Sequence, residues 1–222
     1  MEKQKSFQRS ESFTAAALLA AAGGLLDAYT YLCRGGVFAN AQTGNMVLLA
    51  IRTAEGRWQE AAGYLVPILA FAVGVWAAEW VKQRWRSQGA CHWRHAVLLV
   101  EMAVLAAAAC VPAGRWDGAV TVSVSFVCAL QVEAFRKVWG RAFASTMCTG
   151  NLRSGTEALF HGVAEGSEKS LGTAGCYFAV IACFIAGAAL GGMLLPLLER
   201  WTVLAAVALQ MAAFLWMWGE KS

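Results

Sequence analysis

The chain has 222 residues, of which 59% are hydrophobic and 14% charged, with a formal net charge of +4 and a mean hydropathy of +0.51. That is more apolar surface than a soluble domain can bury, so the chain belongs in a bilayer. The basic residues sit at the ends of apolar runs, where membrane topology accounts for them, and they leave no footprint for a nucleic-acid partner.

A transmembrane helix needs roughly 17–25 residues with few charges. After a short tail, residues 1–12, six stretches approach this: 13–33, 61–81, 96–111, 119–138, 171–198 and 201–218. Residues 13–222 therefore read as a single all-α transmembrane domain. Trp58, Trp80, Trp93, Trp116, Trp139, Trp201 and Trp218 fall near the proposed ends, where an indole sits at headgroup level.

Lys and Arg set the orientation. Lys3, Lys5 and Arg9, then Lys82, Arg84, Arg86 and Arg94, then Arg136, Lys137, Arg141 and Arg153 mark three cytoplasmic segments. The link at 113–118 has only Arg115 and Asp117 and that at 199–200 has Glu199 and Arg200, so with one basic residue each both read as external. Six crossings with both termini cytoplasmic follow, although Arg34, Arg52 and Arg57 in the first external link run against the bias. The basic start and the Ala20-Ala21-Ala22 run also resemble a signal peptide. Cleavage there would remove half a span, and the retained span is the preferred reading.

The chain contains an internal repeat. Thr43-Gly44-Asn45 returns as Thr149-Gly150-Asn151, each sixteen residues after an acid followed by Ala and an aromatic, Asp27-Ala28-Tyr29 and Glu133-Ala134-Phe135. Gly35-x-x-Phe38-Ala39 returns as Gly140-x-x-Phe143-Ala144, and Phe71-x-x-Gly74 as Phe184-x-x-Gly187. Repeat one covers about 13–112 and repeat two about 119–218. Three spans per half is an odd number, so the second half enters the membrane from the opposite side and the repeat is inverted.

Ionisable groups inside a span are costly and mark functional sites by default. Asp27 and Glu133 lead, as groups suited to carry protons near a pseudo-twofold axis; the structural alternative has them cap a re-entrant segment or pair with Arg34, Arg136 or Lys137. Each Thr-Gly-Asn follows a non-spanning stretch and precedes a short helical pattern, 46–52 and 152–160. Two half-helices are expected, each N-capped by Thr, with dipoles positive toward the interior. Thr43, Gly44, Asn45, Thr149, Gly150 and Asn151 are thus expected to line a pathway with Asp27, Glu133 and Gln131, because irregular backbone at membrane depth survives only when buried or lining a wet cavity. Their alternative role is a pair of structural turns packing half against half. Glu101 and Gln210 are explained by interhelical hydrogen bonding.

Seven dispersed cysteines read as small hydrophobes rather than a disulfide framework. Cys91, His92 and His95 lack a fourth ligand and lie among basic residues, so no metal and no cofactor is expected. Gly187-x-x-x-Gly191 and Gly74-x-x-x-Ala78 are small-residue faces for close helix packing.

The runs Gly24-Leu25-Leu26-Asp27-Ala28 to Gln42-Thr43-Gly44-Asn45, and Gln131-x-Glu133-x-Phe135-Arg136 to Ser145-Thr146-Met147-Cys148-Thr149-Gly150-Asn151-Leu152-Arg153, resemble the YoaK-like family of bacterial integral membrane proteins. The resemblance implies a six-helix inner-membrane protein and assigns no substrate and no site residues.

Together these features lead to a small transporter or facilitator of a polar or anionic solute, coupled to protons. Its partners are membrane lipid and a small-molecule solute, and the limited room within one subunit leaves space for pairing into a homodimer. The alternative is a non-transporting membrane protein that binds a lipid or a partner protein, which the short loops disfavour. An enzyme is not expected, since the spans hold no Ser-His pair, zinc signature or adjacent nucleophile and base.

Overall fold

The computed structural model describes residues 8–85, 90–143 and 146–218. Lys3, Lys5 and Arg86, and the side chains of Cys91, His92 and Arg141, lie outside the described residues. The described residues form eight α-helices: α1 Phe13–Cys33, α2 Gln42–Ala54, α3 Trp58–Trp85, α4 Ala90–Cys110, α5 Asp117–Ala134, α6 Cys148–Glu165, α7 Glu168–Leu198 and α8 Val203–Trp218. Five helical stretches are long and apolar enough to cross a membrane, and the fifth, Glu168–Trp218, joins α7 and α8 through a 3-10 turn. Glu199, with φ at 49°, interrupts the helical path there.

The first expected span coincides with α1, and Ser12 caps it by accepting the N–H of Ala15. Span four was expected to reach residue 138, but α5 ends at Ala134. Its continuation is a two-residue antiparallel hairpin, β1 Lys137–Val138 with β2 Arg141–Ala142, pairing Lys137 with Ala142 and Val138 with Arg141. Trp139 and Gly140 both take positive φ, 49° and 75°, as a tight hairpin turn demands. Trp93, in the first turn of α4, is buried in one apolar cluster with Leu98, Leu130 and Phe214.

In lipid, apolar burial does not drive helices together, and close backbone approach takes its place. Two crossings show this. On α7, a Cβ at Gly187 would collide with the Ala21 carbonyl of α1, and one at Gly191 would lie 3.1 Å from the Leu25 carbonyl. On α3, a Cβ at Gly74 would lie 2.5 Å from the Phe126 carbonyl of α5. Around these crossings α1 also packs on α8, α5 on α4, α2 on α3, α6 on α7, and α4 on α8.

Each end of the bundle is tied by a buried arginine. At one end Arg34, after α1, donates to Asp117 Oδ1 at 2.9 Å, to Tyr29 Oη at 2.7 Å, and to the Ala108 and Val111 carbonyls at 3.1 and 2.8 Å. At the other, Arg94 donates to the Ala134 carbonyl at 3.0 Å, to Ser10 Oγ and to Glu11 Oε1 at 3.2 Å. The C-termini of α1 and α4 therefore share an end with the start of α5, and the starts of α1 and α4 share the other with the end of α5.

Candidate functional site

Asp27 lies six residues before the end of α1, buried, with its carboxylate turned toward the start of α2. Its Oδ1 accepts the backbone N–H of Asn40 at 2.7 Å, and the amides of Ala39 and Ala41 also face it. Its Oδ2 has no partner among the described residues. The loop 34–41 thus returns from the end of α1 to mid-helix depth before α2 begins, aided by positive φ at Gly35 (86°) and Gly36 (74°).

Gly23, one turn further along α1, is where the second half arrives. Asn40 Nδ2 donates to the Gly23 carbonyl at 3.3 Å, and a Cβ at Gly23 would collide with the methyl of Thr146, two residues before α6. The starts of α2 and α6 therefore converge on one glycine. Asn40 Oδ1 and Thr146 Oγ1 are both buried without a partner among the described residues. Asn40 also reaches the Cys128 thiol on α5, which lies within electrostatic range of Asp27 and Glu101.

Thr-Gly-Asn does not cap either half-helix. The N-caps are Ala41 and Met147, neither with a side-chain cap bond, so Thr43 and Thr149 fall inside the first turn and are exposed. Both helices are longer than expected, 13 and 18 residues. Asn45 is buried and closed on its own loop: Oδ1 accepts from the Phe38 N–H at 2.9 Å, and Nδ2 donates to the Phe38 carbonyl at 2.8 Å and to Gln42 Oε1 at 2.9 Å. These three bonds tie the start of α2 to the loop that leads into it. Asn151 is buried at the matching position of α6. Gly44 is covered by the Phe38 ring, 3.0 Å from where a Cβ would stand, whereas at Gly150 nothing among the described residues comes within 4 Å.

The two acids have different partners. Asp27 makes no ion pair with Arg34, whose partner is Asp117. Glu133 Oε1 accepts from Arg136 at 2.9 Å and from Lys82 at 3.3 Å, in a cluster that also holds Glu79. Gln131 accepts a hydrogen bond from Gln210 Nε2 at 3.3 Å. Glu101 faces the same Gln210 amide, yet neither carboxyl oxygen has a hydrogen-bond partner among the described residues. The site thus divides into a centre at Gly23, Asp27, Asn40 and Thr146, a second polar group at Glu101, Gln131 and Gln210, and an ion cluster at Glu133.

His95 packs edge-on against Phe214 and Trp218, and among the described residues no group of three His, Cys, Asp or Glu is placed to hold a metal. The family model described as "Protein of unknown function (DUF1275)" matches residues 15–216. The chain belongs to this family. No curated protein and no solved structure matches the chain.

The DUF1275 match takes in both half-helices and the whole site, in agreement with the YoaK-like resemblance. Sequence reasoning passed over Asn40 and Thr146. Their signal was nonetheless present, because they stand 106 residues apart, the spacing that relates Asp27 to Glu133 and Asn45 to Asn151. The pair carries no signal of residue type, because an amide and a hydroxyl do not share their chemistry as Asp27 and Glu133 do.

Proposed function

We propose that this protein is a small secondary transporter of a polar or anionic solute, coupled to protons, built from two inverted three-span halves in a bacterial inner membrane with both termini cytoplasmic. The observation that carries the reading is the convergence of two half-helix starts on Gly23, at the middle of α1, with Asp27 Oδ2, Asn40 Oδ1 and Thr146 Oγ1 buried there without partners among the described residues. Unsatisfied polar atoms at this depth cost free energy unless a solute, a proton or water satisfies them, and discontinuous helices meeting at mid-membrane suit a transport site.

The helix pairings support the repeat, and the opposite directions of α1 and α5 support its inversion. Exchanging α1 with α5, α2 with α6, α3 with α7 and α4 with α8 maps α1–α7 onto α5–α3, α1–α8 onto α5–α4, and α2–α3 onto α6–α7, while α4–α8 maps onto itself. The crossings agree to within one residue, since Gly187 meets Ala21 and Gly74 meets Phe126, whose counterpart in α1 is Ala20. With α8 counted apart from α7, the spans number six.

The test is flux in proteoliposomes containing a pH-sensitive dye, challenged with amino acids, organic acids, sugars and inorganic anions. Uptake of one class, with proton movement lost in Asp27→Asn, is the expected result. No flux above protein-free liposomes for any class sinks the reading and favours a protein that binds lipid or a partner.

A further inference from the structure

The two half-helix starts have matching positions but different occupants. At α2 the Asp27 carboxylate accepts the Asn40 N–H, and the Phe38 ring covers Gly44. At α6 the matching acid is elsewhere, because Glu133 is held by Lys82 and Arg136. Thr146, which stands where Asn40 stands, keeps a buried Oγ1 without a partner among the described residues, and the space over Gly150 is open. One half-helix holds a carboxylate from its own half of the chain, and the other does not.

We propose that the start of α6, from Thr146 to Gly150, binds the carboxylate of a small organic anion, in the place that Asp27 fills at α2. The inference rests on the transporter reading for its purpose, but its chemistry stands on three features. A helix start presents N–H groups and the positive end of the dipole to an anion. The Thr146 hydroxyl adds a donor free to turn toward it. Across Gly23, the unpartnered Asn40 Oδ1 offers an acceptor for a hydroxyl or ammonium on the same solute. Cys148, the first residue of α6, lies within electrostatic reach of Asp27, so a bound anion and an ionised Asp27 repel one another. Neutralising Asp27 therefore strengthens anion binding.

Thermal melts of the full-length protein in detergent, with sodium acetate against acetamide and sodium chloride at matched ionic strength, test this. A ligand of the folded state raises the melting temperature by mass action. Acetate is expected to give a saturable rise that its neutral isostere and chloride do not. Thr146→Val is expected to weaken acetate roughly tenfold or more, the worth of a hydrogen bond to a charged group, while Thr146→Ser retains it and Asp27→Asn binds more tightly. Should Thr146→Val fail to fold, acetate protection of Gly150→Cys from maleimide reads the same site. No saturable acetate effect in either the parent protein or Asp27→Asn overturns the proposal, as does an equal effect in Thr146→Val or no protection at position 150. Acetate binding without flux of any solute would remove the transport reading and leave the site. Flux of a neutral solute that acetate does not affect, with no acetate shift, would do the reverse.

Discussion

Asn40 donates its backbone N–H to Oδ1 of Asp27 across 2.7 Å, joining the first residue group before α2 to the middle of α1. Removing the acceptor of a buried hydrogen bond leaves its donor unsatisfied, which costs about 1–3 kcal/mol. Asp27→Ala is therefore expected to lower stability by about 1–3 kcal/mol, with Asp27→Asn less damaging because an amide oxygen still accepts. Melting temperatures of the two purified variants decide it, and equal values for Asp27→Ala and the parent protein would remove Asp27 from the architecture.

Gly187 and Gly74 leave no room for even a methyl group, since the atoms facing them are backbone carbonyls that cannot turn aside. Gly187→Ala and Gly74→Ala are each expected to cost about 1–3 kcal/mol through overpacking. Gly192→Ala is the control, having nothing within 4 Å. Fluorescence-detected size exclusion across a temperature series separates these outcomes. A Gly192→Ala protein as unstable as Gly187→Ala would mean that the clash at the crossing does not set the loss, since Ala is otherwise the better helix former.

Arg34 is fully buried and serves four acceptors at once, a geometry that suits a planar guanidinium and not a point-charge ammonium. Arg34→Lys should therefore be destabilising, and Arg34→Met, which leaves Asp117 without its cation, should cost about 3–5 kcal/mol. Pairing Arg34→Met with Asp117→Asn should recover part of the loss, which a double-mutant cycle measures. Additive losses in that cycle would show that the ion pair does not hold α1 to α5.

Cys148 provides a prediction on pH. Burial, reinforced by the negative charge of Asp27, pushes its thiol up to about 11. The reactive thiolate is therefore scarce at neutral pH and grows only as pH climbs toward that value. Brief maleimide treatment at pH 7 followed by mass spectrometry should modify the exposed Cys110 and spare Cys148, with Cys148 labelling rising at alkaline pH. Comparable labelling of the two at pH 7 would mean that the Cys148 thiol is not shielded by burial.

Much of this fold was legible in the sequence because bilayer constraints act on composition. The first span is read to the residue, and the small-residue motifs at Gly74 and Gly187 mark the two crossings. Other features were hidden because they depend on local competition. The hairpin after Ala134 follows from a turn at Trp139-Gly140 with both residues at positive φ, and an apolar-run criterion ignores turns. At α2 the helix begins before its Thr, where the incoming N–H groups are met by Asp27, thirteen residues back from Asn40, so a local cap is not required there. The repeat foretold where Asp27 and Glu133 would sit, but not that one would meet a helix start and the other a cluster of cations. That difference depends on Lys82 and Arg136, and Lys82 lies on another helix.

The closure of Asn45 on Phe38 has a mechanical consequence. By satisfying both the amide and the carbonyl of Phe38, the side chain imitates a neighbouring strand and fuses the lead-in loop to the first turn of α2. Displacing the half-helix therefore drags Phe38 with it as one stiff lever. Bending is left to the pivot just upstream, Gly35 and Gly36, where no neighbouring atom crowds either residue.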